Sequence, residues 1–142
     1  MIRLLTENDY DEVYQLWNGT PGIGLRSMDD SKESIKRFIK RNPTTNFVAV
    51  ENDQIVGTVL AGHDGRRGYL YHACVEEGHR QRSIGRMLIE QVIQAMKAEN
   101  ITKIALVCFL KNDLGNKFWS LLGWTKREDL EYYNLSIDDN NK

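Results

Sequence analysis

Cysteine, proline and histidine are scarce in this sequence, with 2, 2 and 3 copies in 142 residues. So few cysteines exclude a disulfide scaffold. Cys74 and Cys108 both sit inside apolar, strand-like runs, where a free thiol behaves as a small buried hydrophobe. His72, Cys74 and His79 match no zinc spacing, so no metal is expected. Nor is there an excess of one charge: 19 basic side chains face 20 acidic ones, a net charge of −1, which removes the global field that draws proteins to nucleic acid or anionic membranes. No apolar run approaches the ~18 residues of a membrane span, and "MIRLLTENDYDE" turns acidic too early for a secretory signal, so a cytoplasmic protein is expected. What is present is 41% apolar residues, enough for one core. We expect a single domain over residues 1–137 and a disordered tail over 138–142.

Along the chain, "MIRLL" reads as a strand, and Thr6 with Asp9 three residues on opens a helix that runs through Trp17. "NGTPGIGLRS" breaks the pattern. A second helix from about residue 29 or 31 buries Ile35, Phe38 and Ile39 before Pro43. "NFVAVEN" and "QIVGTVLAGH" form an antiparallel hairpin across Asn52 and Asp53, and "DGRRG" turns the chain into a third strand, "YLYHACVEE". A helix over 83–99 carries Ile84, Met87, Leu88, Val92, Ala95 and Met96 as one stripe. "ITKIALVCFL" reads as a buried strand, "DLGNKFWSLLG" as a helix closed by Gly123, and "WTKREDLEYYNLSI" as a final strand pair. The strand-helix-strand unit over 69–108 is expected to be parallel. The expected architecture is therefore α/β with a mixed, mostly antiparallel sheet and packed helices.

The stretch "HRQRSIGRML" gathers Arg80, Arg82 and Arg86 around Ser83 and Gly85 where a strand ends and a helix begins. Helix N-termini expose unpaired N–H groups and positive potential, so they seat anions. Arginines there oppose the helix dipole, which favours a compensating anion over a merely solvated helix start. Gly85 also has a plainer reading as a residue that lets the helix pack closely on its neighbours. A third reading, nucleotide or nucleic-acid binding through the arginines alone, requires comparable affinity for those ligands.

The run from Arg80 to Arg86 resembles the pyrophosphate loop of the GNAT superfamily of N-acetyltransferases, with Arg80 in the Gln/Arg place, Ser83 where a first Gly is usual, and Gly85 at the last small position. "NDLGNKFWSLLGW" is similar to that family's later motif through Asn112, Gly115, Phe118 with Trp119, and Leu122-Gly123-Trp124. The resemblance covers essentially the whole chain. It implies a sheet of six to seven strands with about four helices on both faces and strands four and five splayed around acetyl-CoA.

The resemblance further implies main-chain contacts to the pantetheine arm from Cys74, Val75 and Glu76, with the Val75 N–H steadying the reacting carbonyl oxygen. Arg80, Gln81, Arg82, Ser83, Ile84, Gly85 and Arg86 would hold the pyrophosphate, and Asn112 and Trp119 would flank the cofactor. Asn112 has a second reading as a helix cap, and Trp119 with Phe118 as core. Trp119 replaces a tyrosine that often protonates the departing thiolate, and indole is no acid; water, Tyr132 or Tyr133 could take over. The candidate bases on the fourth strand are Tyr71 and His72, with Tyr69 and Tyr71 on one face and His72 and Glu76 on the other. Arg26, Asp29 and Asp30 would select acceptor charge. The expected activity is acetyl transfer from acetyl-CoA to a primary amine of a small molecule or peptide, by a monomer or homodimer, with no nucleic-acid or membrane partner. The competing reading is a non-catalytic acyl-CoA binding domain.

Overall fold

The computed structural model describes residues 1–80 and 82–142. Among them the sheet has five strands in the order β1-β2-β3-β4-β5, with β1 Ile2–Leu4, β2 Phe47–Glu51, β3 Gln54–His63, β4 Gly68–Val75 and β5 Ile104–Ala105. The first four pair antiparallel and β5 joins β4 in parallel. Four helices accompany them: α1 Tyr10–Asn18, α2 Lys32–Arg41, α3 Ile84–Ala98 and α4 Asp113–Leu121.

Local chemistry explains most of the boundaries. Asn52 and Asp53 both take left-handed backbone (φ 50° and 62°), the geometry that a two-residue hairpin between twisted strands requires. Ser31 caps α2 by accepting the Ser34 N–H at 3.2 Å. Gly123 (φ 87°) ends α4 with a left-handed turn.

The sheet is buried on both faces. Phe47 and Ala49 of β2 point towards α3, joining Leu88, Val92 and Met96 in one core; Val48 points the other way, joining Val13 and Trp17 of α1 and Ile35 of α2. Both sides of the central strands are therefore apolar, as burial on two faces demands.

One expectation is corrected here. The sheet has five strands, not six to seven, because the run over 101–110 contributes only the two-residue β5 and the segment after Trp124 forms no ladder. Its side chains Tyr133, Leu135 and Ile137 stay exposed. High β propensity does not by itself make a strand: no ladder forms here among the described residues, although the outer edge of β5 is unpaired. At the C-terminal end the Ser27 N–H donates to the Lys142 carbonyl at 2.6 Å, and the Asn141 amide bonds the Met28 and Asp29 N–H groups and the Asp29 carboxylate.

At the N-terminal edge Arg3 holds Asp9 with two hydrogen bonds of 2.8 and 2.9 Å, and the Thr6 N–H adds a third at 2.8 Å. The Arg3 guanidinium, followed by Thr6, keeps this carboxyl below its ordinary 3.8 despite burial. A depressed folded-state value stabilises the fold above the unfolded value, and that stability is lost as pH falls through the folded one. Asp9→Asn is therefore expected to lower stability at neutral pH by about 1–2 kcal/mol. Urea unfolding of variant and wild type should converge as the pH drops below 3.8.

Candidate active site

The site is built around an irregularity in β4. Its register to β3 pairs Leu60 with Tyr71 but Thr58 with Cys74, so one β3 residue, Val59, faces two β4 residues, His72 and Ala73. This is a β-bulge, and His72 takes left-handed backbone within it (φ 49°). The bulge corrects the expected facing. Tyr71 meets Phe38 of α2 edge-on at 5.9 Å, and His72 meets Trp17 of α1 at 4.9 Å, so both rings lie on the α1/α2 face rather than on opposite faces. Leu70, one residue earlier, packs into the α3 core.

Past the bulge, the Glu76 N–H donates to the Val56 carbonyl at 2.7 Å. That bond fixes the phase of the ladder: Glu76 and, by alternation, Cys74 turn their main-chain groups towards β3, while Val75 turns its own towards the opposite edge. β5 pairs only with Gly68 and Tyr69, so beyond Tyr69 this edge carries no ladder among the described residues. Of the expected pantetheine contacts Cys74, Val75 and Glu76, only Val75 turns its main-chain groups to this unladdered edge. The Cys74 side chain is buried, and burial pushes its thiol up to about 12, which makes it inert. Both cysteines are free.

The arginine loop follows. Ser83 precedes α3 in left-handed backbone (φ 64°), the conformation that glycine takes most cheaply. Met87 is the first residue to bond back, to the Ser83 carbonyl at 3.0 Å, so Ile84, Gly85 and Arg86 keep N–H groups with no intrahelical acceptor. The first turn holds no acidic residue. Ile84 contributes only backbone here, because its side chain is buried in the core. The Arg80 Nε donates to the Val75 carbonyl at 3.0 Å, and Arg82 lies 3.6 Å from Glu51, which also stands 3.5 Å from His79. Gln81 lies outside the described residues.

Gly85 is confined by packing. A Cβ there would sit 2.9 Å from the Phe118 ring, so this glycine is what lets α3 approach α4. Asn112 caps α4 by accepting the Gly115 N–H at 2.9 Å. Its amide lies so close to Gly115 and Gly22 that Cβ atoms there would fall 2.6 and 2.9 Å away. Gly24 similarly fits under Phe109, which brings the α1–α2 loop down onto the 109–112 segment. Trp119 joins Phe118 and Trp124 at 4.9 and 5.0 Å in an aromatic cluster against the α3 core.

The loop then delivers Asp30, whose carboxylate lies 2.7 Å from His72 Nε2 and accepts the Arg26 N–H at 2.7 Å. Sequence reasoning named Asp30 for acceptor charge and missed this pairing, which spans 42 residues and leaves no local signal. Burial pushes Tyr69 up to about 12 and also raises Tyr71, with Tyr132 nearby adding to both shifts.

Known proteins share this fold. The model of the Acetyltransferase (GNAT) family matches residues 10–124. An acetyltransferase of Pectobacterium atrosepticum is 33% identical over 112 residues, covering 79% of this chain and 78% of its own. An acetyltransferase of Clostridium acetobutylicum, solved with acetyl-CoA, has a TM-score of 0.72 at 20% identity, covering 94% of this chain and 95% of its own. The ribosomal-protein-alanine N-acetyltransferase of Brucella melitensis biovar Abortus also reaches 0.72, at 18% identity, covering 97% and 99%. The chain belongs to the GNAT family of acetyltransferases, enzymes that use acetyl-CoA as co-substrate. No helix among the described residues is long and apolar enough to cross a membrane.

Overpacking a tight contact costs about 1–3 kcal/mol, so Gly85→Ala should lose stability in that range. Because the clash is with one ring, Phe118→Leu added to Gly85→Ala should recover part of the loss in a double-mutant cycle of melting curves.

Proposed function

We propose that this chain transfers the acetyl group of acetyl-CoA directly to a primary amine, in the cytoplasm. The observation that carries the proposal is the convergence of three features at one end of β4: the Val75 N–H on the unladdered edge, the α3 N–H groups with no intrahelical acceptor, and the His72 imidazole on the α1/α2 side. The residues present fit acetyl-CoA. Val75 offers an edge for an amide-bearing arm, and the Ile84, Gly85 and Arg86 N–H groups suit phosphate oxygens. Arg80, Arg82 and Arg86 supply cationic reach. The cofactor brings an activated thioester; the chain binds it, orients it and handles the amine's proton.

Among the candidate bases, His72 is favoured over Tyr71. Burial raises Tyr71, which keeps its phenol protonated at neutral pH and leaves it a hydrogen-bond donor. A neutral imidazole has a lone pair available in the working range. The ordinary thiol value near 8.5 makes CoA a tolerable leaving group without a dedicated acid, so Trp119 in place of a tyrosine does not forbid transfer. Two solved neighbours, a ribosomal-protein-alanine N-acetyltransferase and an aminoglycoside antibiotic 6'-N-acetyltransferase, support an amine as the nucleophile.

The test is release of free CoA across a panel of polyamines, aminoglycosides, amino acids and peptides, with mass spectrometry of the product. At least one amine should turn over, and His72→Gln should lower kcat by roughly 100-fold or more. Arg80→Ala should weaken acetyl-CoA binding measured by calorimetry. Tight acetyl-CoA binding without CoA release from any acceptor would favour a binding domain instead.

A further inference from the structure

We infer that Asp30 is the positioning residue for His72: it holds the imidazole in the tautomer with the proton on Nε2 and so reserves Nδ1 as the acceptor of the amine's proton. The inference rests on the proposed role of His72 and adds the residue that sets its chemistry.

The contact is direct, 2.7 Å from His72 Nε2 to Asp30 Oδ1, between side chains only 14% and 6% exposed. A carboxylate can only accept, so a neutral ring facing it must carry its proton on Nε2. Asp30 is itself fixed on every polar group. Its Oδ2 accepts the Arg26 N–H at 2.7 Å, its own N–H donates to the Arg26 carbonyl at 3.0 Å, and its carbonyl accepts the Tyr10 hydroxyl at 2.6 Å. Oδ1 alone is left for the ring. The other ring nitrogen, Nδ1, has no hydrogen-bond partner among the described residues and is not sealed off by packing, so it remains open to a bound molecule.

The ring's placement is equally determined. Trp17, 1% exposed, packs edge-on against it, and the left-handed backbone of the bulge turns it to this face. A histidine needed only for packing has no use for a left-handed strand residue, a buried carboxylate and a loop folded over to hold it. The ionisable groups on the elements packed against the pair are Tyr10, which bonds the Asp30 carbonyl, Tyr14, which packs on Trp17, Asp29 beside Asp30, and Tyr71 and Cys74 on β4. Among these neighbours, none hydrogen-bonds the imidazole.

The amine nitrogen forms its bond to the acetyl carbonyl carbon as the thioester C–S bond breaks and CoA departs as thiolate. The proton that the nitrogen loses moves to Nδ1, the ring becomes imidazolium beside the Asp30 carboxylate, and that proton later leaves Nδ1 to solvent. Asp30→Asn keeps size and can keep the bond from the Arg26 N–H through its amide oxygen. Its NH2 then faces Nε2, which must accept, so the proton moves to Nδ1 and blocks it. The equivalent exchange in a Ser-His-Asp triad leaves geometry intact and cuts kcat by about 10⁴ through the wrong tautomer.

The experiment is long-range ¹H–¹⁵N correlation of the full chain, histidine-labelled, at a pH well above the ordinary imidazole range. With 3 histidines in the sequence, His72→Gln identifies the relevant signals by difference. Wild type should show His72 protonated on Nε2 and Asp30→Asn should show it on Nδ1. With an amine from the panel, Asp30→Asn should lose kcat by about 100-fold or more while acetyl-CoA affinity, read by calorimetry, stays within about 3-fold. A wild-type ring protonated on Nδ1 overturns the inference without any variant, which matters if Asp30→Asn proves too unstable to study. Full kcat in a folded Asp30→Asn, or a loss of kcat with no change of tautomer, also overturns it. If no amine is acetylated by wild type, the proposed function fails while the tautomer result stands separately.

Discussion

One backbone irregularity organises the site: the bulge in β4 at His72 and Ala73. A regular strand would send Tyr71 and His72 to opposite faces and would leave no reason for β4 and β5 to separate. The extra residue turns both rings towards α1 and α2 and resets the phase of the strand beyond it. From there, the Glu76 bond to Val56 leaves Val75 as the residue whose main-chain groups face away from β3. Left-handed backbone at a residue other than glycine costs about 1–3 kcal/mol and persists only where the surroundings hold it. Here Trp17 and Asp30 hold it from one side, and the β3 pairing holds it on both flanks.

The rest of the fold serves to keep those neighbours in place. The α3 helix is anchored through Leu88, Val92 and Met96, so its N-terminus sits rigidly next to the end of β4. Close approach recurs wherever two segments meet around the site: Gly85 under Phe118, Gly115 and Gly22 around Asn112, Gly24 under Phe109. Each contact leaves little room for a side chain, so the α1–α2 loop, α4 and α3 hold one another at short range. Hydrogen bonds from Ser27 and Met28 to residues 141 and 142 fasten the outer side of the same loop.

Much of this could be read from the sequence because it depends on neighbours along the chain. The Asn52-Asp53 hairpin, the Asn112 cap and the parallel crossover into β5 all follow from local chemistry or period. So does most of the α3 stripe, though Met87 is exposed and Ile89, not expected in it, is buried. The arginine loop and a second motif around Asn112 made the family recognisable. The bulge was not legible, because "YLYHACV" alternates as a regular strand would and the left-handed turn falls on a histidine instead of a glycine. The wrong facing of His72 followed directly. Its pairing with Asp30 was hidden for a different reason, since only tertiary packing brings the loop across. "LEYYNLSI" misled in the other direction: its propensity is that of a strand, but it forms no ladder among the described residues, because propensity depends on packing context as much as on residue type.

The bulge leaves Val75, and neither Cys74 nor Glu76, with main-chain groups facing the unladdered edge, where we propose that acetyl-CoA binds. Titration of ¹⁵N-labelled protein with acetyl-CoA, followed amide by amide, tests it most directly. The Val75 amide should show a hydrogen-bond shift together with Ile84, Gly85 and Arg86, while the Cys74 and Glu76 amides, turned to β3, keep their bonds and move far less. Equal shifts along residues 74–76, or a Val75 amide that does not respond at saturation, would contradict the account.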